Sequence, residues 1–199
     1  MKQDKLKKYD PSVTPINKQH RAKNVMDDDW IVQFLTNVQI GHIATRWGEQ
    51  PFINPSTFWY SPEKHEIYFH SNAIGRIRAN SQMHSEVCFE AFRSGRLLPS
   101  NIPLEKSIQY ESVVAFGAIR VLNDHDEKRD YLQGLLDKYF GEMKSGKDYR
   151  PITEDELKQT SVYAIAIDSW SGKRNWEERA DQGEADEWPP IEEKWFDHY

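Results

Sequence analysis

In the stretch YFHSNAIGRIR, residues 68–78, an imidazole, a hydroxyl, a glycine and two guanidinium groups follow one another at the mouth of an apolar, strand-like run. Residue types of this kind can hold a phosphate. A helix beginning near Ser71 or Asn72, with Ile74, Ile77 and Met83 on its apolar side, would offer free backbone N–H groups and the positive end of its dipole to an anion. Ser71 is a natural N-cap for that helix. Arg76 and Arg78 add planar forks that grip phosphate through paired hydrogen bonds, and Gly75 permits close approach of a ligand to the backbone. The same residues also describe an ordinary capped helix with a solvated face, and His70 alone describes a hydrogen-bonded strand residue.

A second stretch, PFINPSTFWY at residues 51–60, carries Pro51 and Pro55 around Asn54. Neither proline can donate to a β-ladder, so the strand belongs at an edge or carries a bulge. Backbone groups left unpaired there, with the side chains of Asn54, Ser56 and Thr57 beside them, suit a flat heterocycle with many hydrogen-bonding edges. The alternative is an edge strand protected by its prolines.

The elements that must position these residues are mostly strands. Segments 41–45, 51–60, 66–70, 86–92, 111–122 and 161–167 are short and rich in β-branched and aromatic residues, and RWGEQ and SPEK read as hairpin turns. Segment 111–122 is apolar on both faces, with Val113, Ala115, Ile119 and Val121 on one and Val114, Phe116 and Leu122 on the other. Such a strand belongs to a barrel wall covered by a helix or a second subunit. Helical periodicity appears after DDD, where Trp30, Ile31, Phe34, Leu35 and Val38 share a side. It returns in NDHDEKRDYLQGLLDKYFG, capped by Asn123 or Asp124, with Leu132, Leu135, Leu136 and Tyr139 as its stripe and Gly141 as its stop. TEDE at 153–156 is a capping box. About six strands in hairpins, with no βαβ rhythm, predict a mainly β antiparallel barrel with peripheral helices.

Composition narrows the function. A net charge of −6 argues against broad nucleic-acid binding. Lysines concentrate at the start (Lys2, Lys5, Lys7, Lys8) and carboxylates at the end, where Trp188, Trp195, Phe196 and Tyr199 predict a tail folded back on the barrel or on a dimer partner. Cys88 is the one cysteine, so no internal disulfide is possible. The histidines are scattered singly, with no HExxH, and no metal site is expected; GxxxxGK[ST] and GxSxG are also absent. With no secretory h-region and no long apolar run, a cytoplasmic protein without a membrane partner is expected. Aromatic content of 13% leaves surface for a subunit interface.

Taken in order, GHIAT, PFINPSTFWY, IYFHSNAIGRIR, EVCFEAF and YESVVAFGAIRVL resemble the pyridoxamine 5′-phosphate oxidase-like superfamily over about residues 25–174, in particular its flavin-nucleotide-binding branch that includes nitroimidazole-resistance proteins. His70-Ser71 followed by Gly75 and Arg76, the strand with Tyr110, Ser112, Val113 and Gly117, and the late Ser171, Gly172, Lys173, Arg174 carry the resemblance. It implies a six-stranded split β-barrel homodimer with FMN at the subunit interface. Ser71, Arg76 and Arg78 would hold the phosphate, and Ile53, Asn54, Pro55, Ser56 and Thr57 would lie along the isoalloxazine ring, near His70. Trp170 and Lys173 would reach the site at the end of the last strand, from the same subunit or its partner. Two departures stand out. Ile77 separates two basic residues that are adjacent in the family, and the Arg-x-His element of enzymes that make pyridoxal phosphate is missing.

The expected domains are a basic arm at 1–24, a split-barrel domain at 25–176 and an acidic aromatic tail at 177–199. The expected function is an FMN-dependent oxidoreductase that passes electrons from reduced nicotinamide, NAD(P)H, to a small planar acceptor, a nitro-aromatic being one candidate. His70 would be its catalytic residue, and Phe58 and Trp59 are candidates for the substrate side. The competing readings are a flavin- or haem-binding carrier or sensor, with His70 or His42 as axial ligand, and a barrel whose site is empty.

Overall fold

The computed structural model describes residues 9–198; Lys2, Lys5, Lys7 and Lys8 of the basic arm, and Tyr199, lie outside them. A two-residue strand β1 (Val25–Met26) precedes helix α1 (Asp28–Asn37). The carboxylate of Asp27 accepts the Trp30 N–H at 2.8 Å and starts the helix, and Ile31, Phe34 and Leu35 bury its apolar side. Then follow β2 (Ile40–Trp47), β3 (Gln50–Ser61), β4 (Glu66–Asn72), α2 (Arg76–Met83), β5 (Glu86–Leu98), β6 (Ser107–Val121), α3 (His125–Phe140), α4 (Glu154–Gln159), β7 (Thr160–Asn175) and α5 (Lys194–His198). The caps expected for α3 and α4 are present: Asp124 accepts from Glu127 N, and Thr153 and Glu156 form a reciprocal capping box.

The strands are antiparallel in the order β1-β7-β4-β3-β2-β5-β6, and β6 pairs back onto β7. That last pairing closes six strands into a barrel, with β1 added alongside β7. The β6–β7 ladder shifts register between Phe116 and Gly117, where the strands approach so closely that a Cβ on Gly117 would sit 1.9 Å from the Ala166 carbonyl oxygen. Only glycine fits there.

Ile43, Phe58, Ile67, Phe69, Phe89, Val113, Tyr163 and Ile165 fill the barrel, and α1 closes one side with Ile31 and Leu35. Outside the barrel, α3 lays Tyr131 on Tyr68 with ring centroids 3.7 Å apart, over Val162 and Ala164. The strands covered on both faces are therefore β4 and β7. On β6 the inward residues Val113, Ala115 and Ile119 are buried, while Val114 and Phe116 on the other face are only half-buried within a single chain.

The β5–β6 hairpin extends beyond the barrel, and the C-terminal segment folds back along it. Ser100 Oγ donates to the Asp181 carbonyl at 2.6 Å, Gly183 N donates to Asn101 Oδ1 at 2.8 Å, and Arg96 pairs with Glu178 at 2.8 Å. At the other end of the chain, Asn17 bonds the Trp170 carbonyl at 3.0 Å and Gln19 bonds Ser171 Oγ at 2.7 Å. Among the described residues no helix is long and apolar enough to cross a membrane, and no group of three or more His, Cys, Asp or Glu is placed to hold a metal ion.

Candidate functional site

The barrel is split along β3. Its first part, Gln50 to Thr57, pairs with β2, whereas Phe58 to Ser61 pairs with β4. Residues 50–57 are thus unpaired on the side facing β4, and Pro51 and Pro55 both fall on this free half. A strand edge is where proline costs no ladder bond. Tyr139 of α3 closes the switch point: its hydroxyl accepts the Phe58 N–H at 3.1 Å and lies within bonding reach of the Phe58 and Gln39 carbonyls. Beside the free edge Asn54 is half-buried, its side chain without a hydrogen bond to other described residues, and Ile53 is 68% exposed.

Across the split, β4 runs on through Ser71 to Asn72, so the helix does not begin at Ser71 or Asn72 as expected. A turn intervenes, with Asn72 Oδ1 accepting the Ile74 N–H at 3.1 Å and Ala73 N donating to the Gln159 carbonyl at 3.1 Å. Gly75, at φ 159° and ψ 176°, is the N-cap of α2, and no side chain caps the first turn. The leading N–H groups of α2 therefore face outward without a side-chain acceptor.

Ser71 is not the cap. It continues the strand alternation inward, where its hydroxyl lies 2.9 Å from Tyr163 Oη and donates to the Asn72 carbonyl. The two arginines also part company. Arg76 is exposed, without an ion pair among the described residues, its guanidinium 4.8 Å from the Phe52 ring centroid and 6.0 Å from that of Trp47. Arg78 turns to the floor of the barrel and donates to Ser161 Oγ at 3.1 Å. Residues two apart on a helix leave it in different directions, and here the two guanidinium groups meet different partners. Nearby, Lys128 is buried against the Leu157 carbonyl, and burial, with the charge of Arg78 second, holds it below the usual lysine range.

His70 takes the face opposite to Ser71. It opens into a recess of about 390 Å³ walled by Thr57 of β3 and by Leu132, Leu135, Leu136, Tyr139 and Phe140 of α3. One side of the ring meets solvent and no described residue hydrogen-bonds it, while the apolar wall desolvates it and lowers its pKa. The imidazole is therefore neutral at neutral pH. Glu156 lines the same recess but is committed elsewhere: Arg150, then Thr153, hold its pKa down at about 2.

The remaining expected site residues are not gathered here. Phe58 is fully buried in the core. Trp59 packs beside the stacked pair of Tyr68 and Tyr131, at 5.4 Å and 5.8 Å from their ring centroids, with Gly134 of α3 against its ring, outside the His70 recess. Trp170 and Lys173 lie on β7, the strand that pairs with His70 through Val162. At about 3.3 Å per residue, the eight residues from Val162 to Trp170 span roughly 26 Å. Trp170 pairs with inward-facing Ala115, donates its indole N–H to Asp28 at 2.8 Å and meets His65 at 4.5 Å. One protomer cannot bring either residue to the split, because a single long strand carries the two ends apart. The recess-forming side of α3 was missed in the sequence, where its leucines read only as a core stripe.

The family model for pyridoxamine 5′-phosphate oxidase matches residues 27–174. Among solved structures, flavocytochrome Anf3 from Azotobacter vinelandii superposes with a TM-score of 0.69 at 17% identity, covering 92% of this chain and 78% of that one. A FAD and heme binding protein from Mycobacterium smegmatis gives 0.67 at 22%, covering 81% and 76%. A protein described as a 5-nitroimidazole antibiotic resistance protein, from Bacteroides thetaiotaomicron, gives 0.63 at 21%, covering 75% and 86%. At these identities the likenesses establish the fold. A comparison with curated proteins finds no match. The family model spans the barrel from α1 to Arg174, including both halves of the split, and the chain belongs to the pyridoxamine 5′-phosphate oxidase family.

Proposed function

We propose that the protein is an FMN-dependent oxidoreductase that takes electrons from reduced nicotinamide and passes them to a small planar acceptor, a nitro-aromatic being one candidate. The observation that carries this is the meeting of three features at one split: the free edge of β3, the uncapped start of α2 beside unpaired Arg76, and the apolar recess holding neutral His70. The residues fit a flavin mononucleotide. Residues 53–57 would hold the ring, with Asn54 and the unpaired backbone groups of this edge as its polar partners, and the leading N–H groups of α2 and Arg76 would hold the phosphate. Ser71 and Arg78 brace the floor beneath it through Tyr163 and Ser161. When bound, the flavin supplies the redox chemistry, accepting hydride and releasing electrons to the acceptor. The acceptor occupies the recess, where Leu132, Leu136 and Tyr139 exclude water and His70 offers one hydrogen bond from a neutral ring.

The working form in this reading is a homodimer. Two cross-strand rows, Ile53-Ala44-Cys88-Phe116 and Pro55-His42-Glu90-Val114, lie on the outer face of β3, β2, β5 and β6, and the row Phe92-Ser112-Lys173 extends that face to β7. Ile53 and Phe92 are exposed, and Val114 and Phe116 half-buried, which is the apolar patch a second copy would cover. Packing through it lets Lys173 of each subunit approach the other's split, while Trp170 stays with its own core.

A spectrum tests the reading. Protein incubated with FMN and freed of excess is expected to retain flavin absorbance that bleaches on anaerobic addition of NADH or NADPH. A colourless protein would sink the proposal, and bands that resist both reductants would reduce it to flavin carriage. A second reading, a haem-binding carrier or sensor, rests on the hydrogen-bond-free His70 ring in an apolar recess, and agrees with haem in two proteins of like fold. It requires an intense Soret band on haem addition that His70→Ala abolishes.

A further inference from the structure

Past Ile167, β7 no longer pairs with β4, and the segment before α1 takes the freed edge. Asn17 Nδ2 donates to the Trp170 carbonyl at 3.0 Å, and β1 pairs Val25 with Lys173 and Met26 with Gly172. The segment also reaches onto the outer face of the sheet. Val114 pairs with Ser171, so the row Pro55-His42-Glu90-Val114 ends at Ser171. The Ser171 hydroxyl accepts from Gln19 Nε2 at 2.7 Å, and this residue is buried although it lies on the outer face. Val25, an exposed aliphatic, likewise prolongs the row Phe92-Ser112-Lys173.

What this segment binds on its own chain is polar, and what it leaves out is apolar. Asn17 and Gln19 make the contacts, while Val13 is 77% and Ile16 65% exposed. A turn orders the backbone around Val13: the Asp10 carbonyl accepts the Thr14 N–H at 3.0 Å, and the Asp10 carboxylate accepts the Ser12 N–H at 2.9 Å. Between residues 11 and 20, Lys18 is the one formal charge, in a chain of which 29% is charged. A stretch pinned by its amides, poor in charge and with its aliphatics outward has the make-up of an interface core.

The symmetry of the dimer says what the stretch meets. A two-fold that brings Lys173 to the partner's split runs along the strands and lays β7 of one subunit over β3 of the other. Within one subunit, β7 and β3 are four strand spacings apart across this face, roughly 19 Å. The pinned stretch therefore does not cover its own split. The surface it faces is the partner's β3 edge, where Ile53 is as exposed as Val13 and Ile16 are.

We propose that residues 11–20 of each subunit dock on the β3 edge of the other, Val13 and Ile16 against Ile53 of the partner subunit, and close the flavin-ring site in trans. This rests on the homodimer proposed above and adds to it a segment that completes the partner's site.

The test uses full-length chains in a Cys88→Ser background, one carrying Val13→Cys and the other Ile53→Cys, mixed and treated with a short bis-maleimide. A product with the mass of two chains is expected in the mixture and in neither variant alone. In a chain carrying both substitutions, a bridge formed within the chain and none between chains would mean that the segment folds over its own split, and overturns the proposal. Light scattering on the native protein separates this from the dimer itself. A dimer without the cross-link overturns the proposal alone, whereas a monomer removes the homodimer and the proposal with it. Val13→Asp combined with Ile16→Asp is expected to keep the dimer, whose sheet face is untouched, and to weaken FMN binding about tenfold. Unchanged affinity in that variant would overturn closure of the site by the segment. Should FMN fail to bind at all, the cross-link still decides the docking, because it requires no flavin.

Discussion

The hydroxyl of Tyr139 accepts the Phe58 N–H at 3.1 Å at the point where β3 leaves β2 and joins β4. A side chain from α3 thus supplies the ladder bond that the split withdraws, and ties the helix lining the His70 recess to the strand that borders it. Tyr139→Phe keeps the ring and deletes the acceptor, leaving a buried N–H unsatisfied. The expected loss is about 1–3 kcal/mol of unfolding free energy, read from urea denaturation. An unchanged midpoint would mean that water replaces the hydroxyl.

Lys138, the neighbouring residue on α3, sits with its ammonium 3.7 Å from the Phe58 ring centroid and 2.9 Å from the Leu35 carbonyl at the end of α1. Burial pulls its pKa down to about 8. Between about pH 8 and the ordinary lysine value of 10.5, the unfolded chain holds a proton that the folded chain has released. Stability of the native protein therefore gains with pH across that window. Lys138→Met removes this gain, so the variant's stability relative to wild type is expected to be greatest at pH 7 and to decline toward pH 10, by denaturant titration at each pH.

Arg76 and Arg78 are expected to separate affinity from stability. Arg76→Ala should weaken FMN binding about tenfold to a hundredfold, the scale of one charge-assisted phosphate contact, with little change in melting temperature, because the side chain is exposed and unpaired. Arg78→Ala should show the reverse emphasis, losing about 1 kcal/mol of stability with the Ser161 bond. Flavin fluorescence quenching and thermal melts of both variants decide it. Equal effects on binding would place both guanidinium groups on the phosphate.

His70 is expected to make the protein acid-sensitive. Its pKa is lowered in the folded state by desolvation, so below the ordinary value of 6.5 the unfolded chain binds more proton than the folded one. Stability contributed by the neutral ring is complete above pH 6.5 and is lost as the pH falls through the folded value. His70→Gln should flatten this part of the curve of melting temperature against pH between 5 and 7.5. A curve of the same slope in the variant would assign the acid response to another group.

The outer face of β2, β5 and β6 supplies a test of assembly. Phe116→Asp puts a charge at the β6 end of the row Ile53-Ala44-Cys88-Phe116. Light scattering is expected to give a dimer for the native chain and a monomer for the variant, with FMN retention lost as well. A dimer that survives the substitution would move the interface elsewhere.

The sequence by itself determined the strands, because hairpin turns and runs of β-branched and aromatic residues are local signals. It also determined the caps of α3 and α4, which are decided within one helical turn, and the free edge of β3, since Pro51 and Pro55 have no N–H to place in a ladder. Even the divergence of Arg76 and Arg78 was available, from their spacing of two on a helix. Only the tertiary structure decided which side of each strand has a neighbour. EIYFH and the apolar strand ESVVAFGAIRVL look alike in sequence, yet α3 covers the outer face of the first and leaves Val114 and Phe116 of the second half-buried. Ser71 follows the same logic: its hydroxyl could cap a helix or meet Tyr163, and the pairing of β4 with β7 through Asn72 settled it. The His70 recess is likewise made by segments far apart in the chain, whose meeting depends on how the barrel closes and on no local pattern of residues.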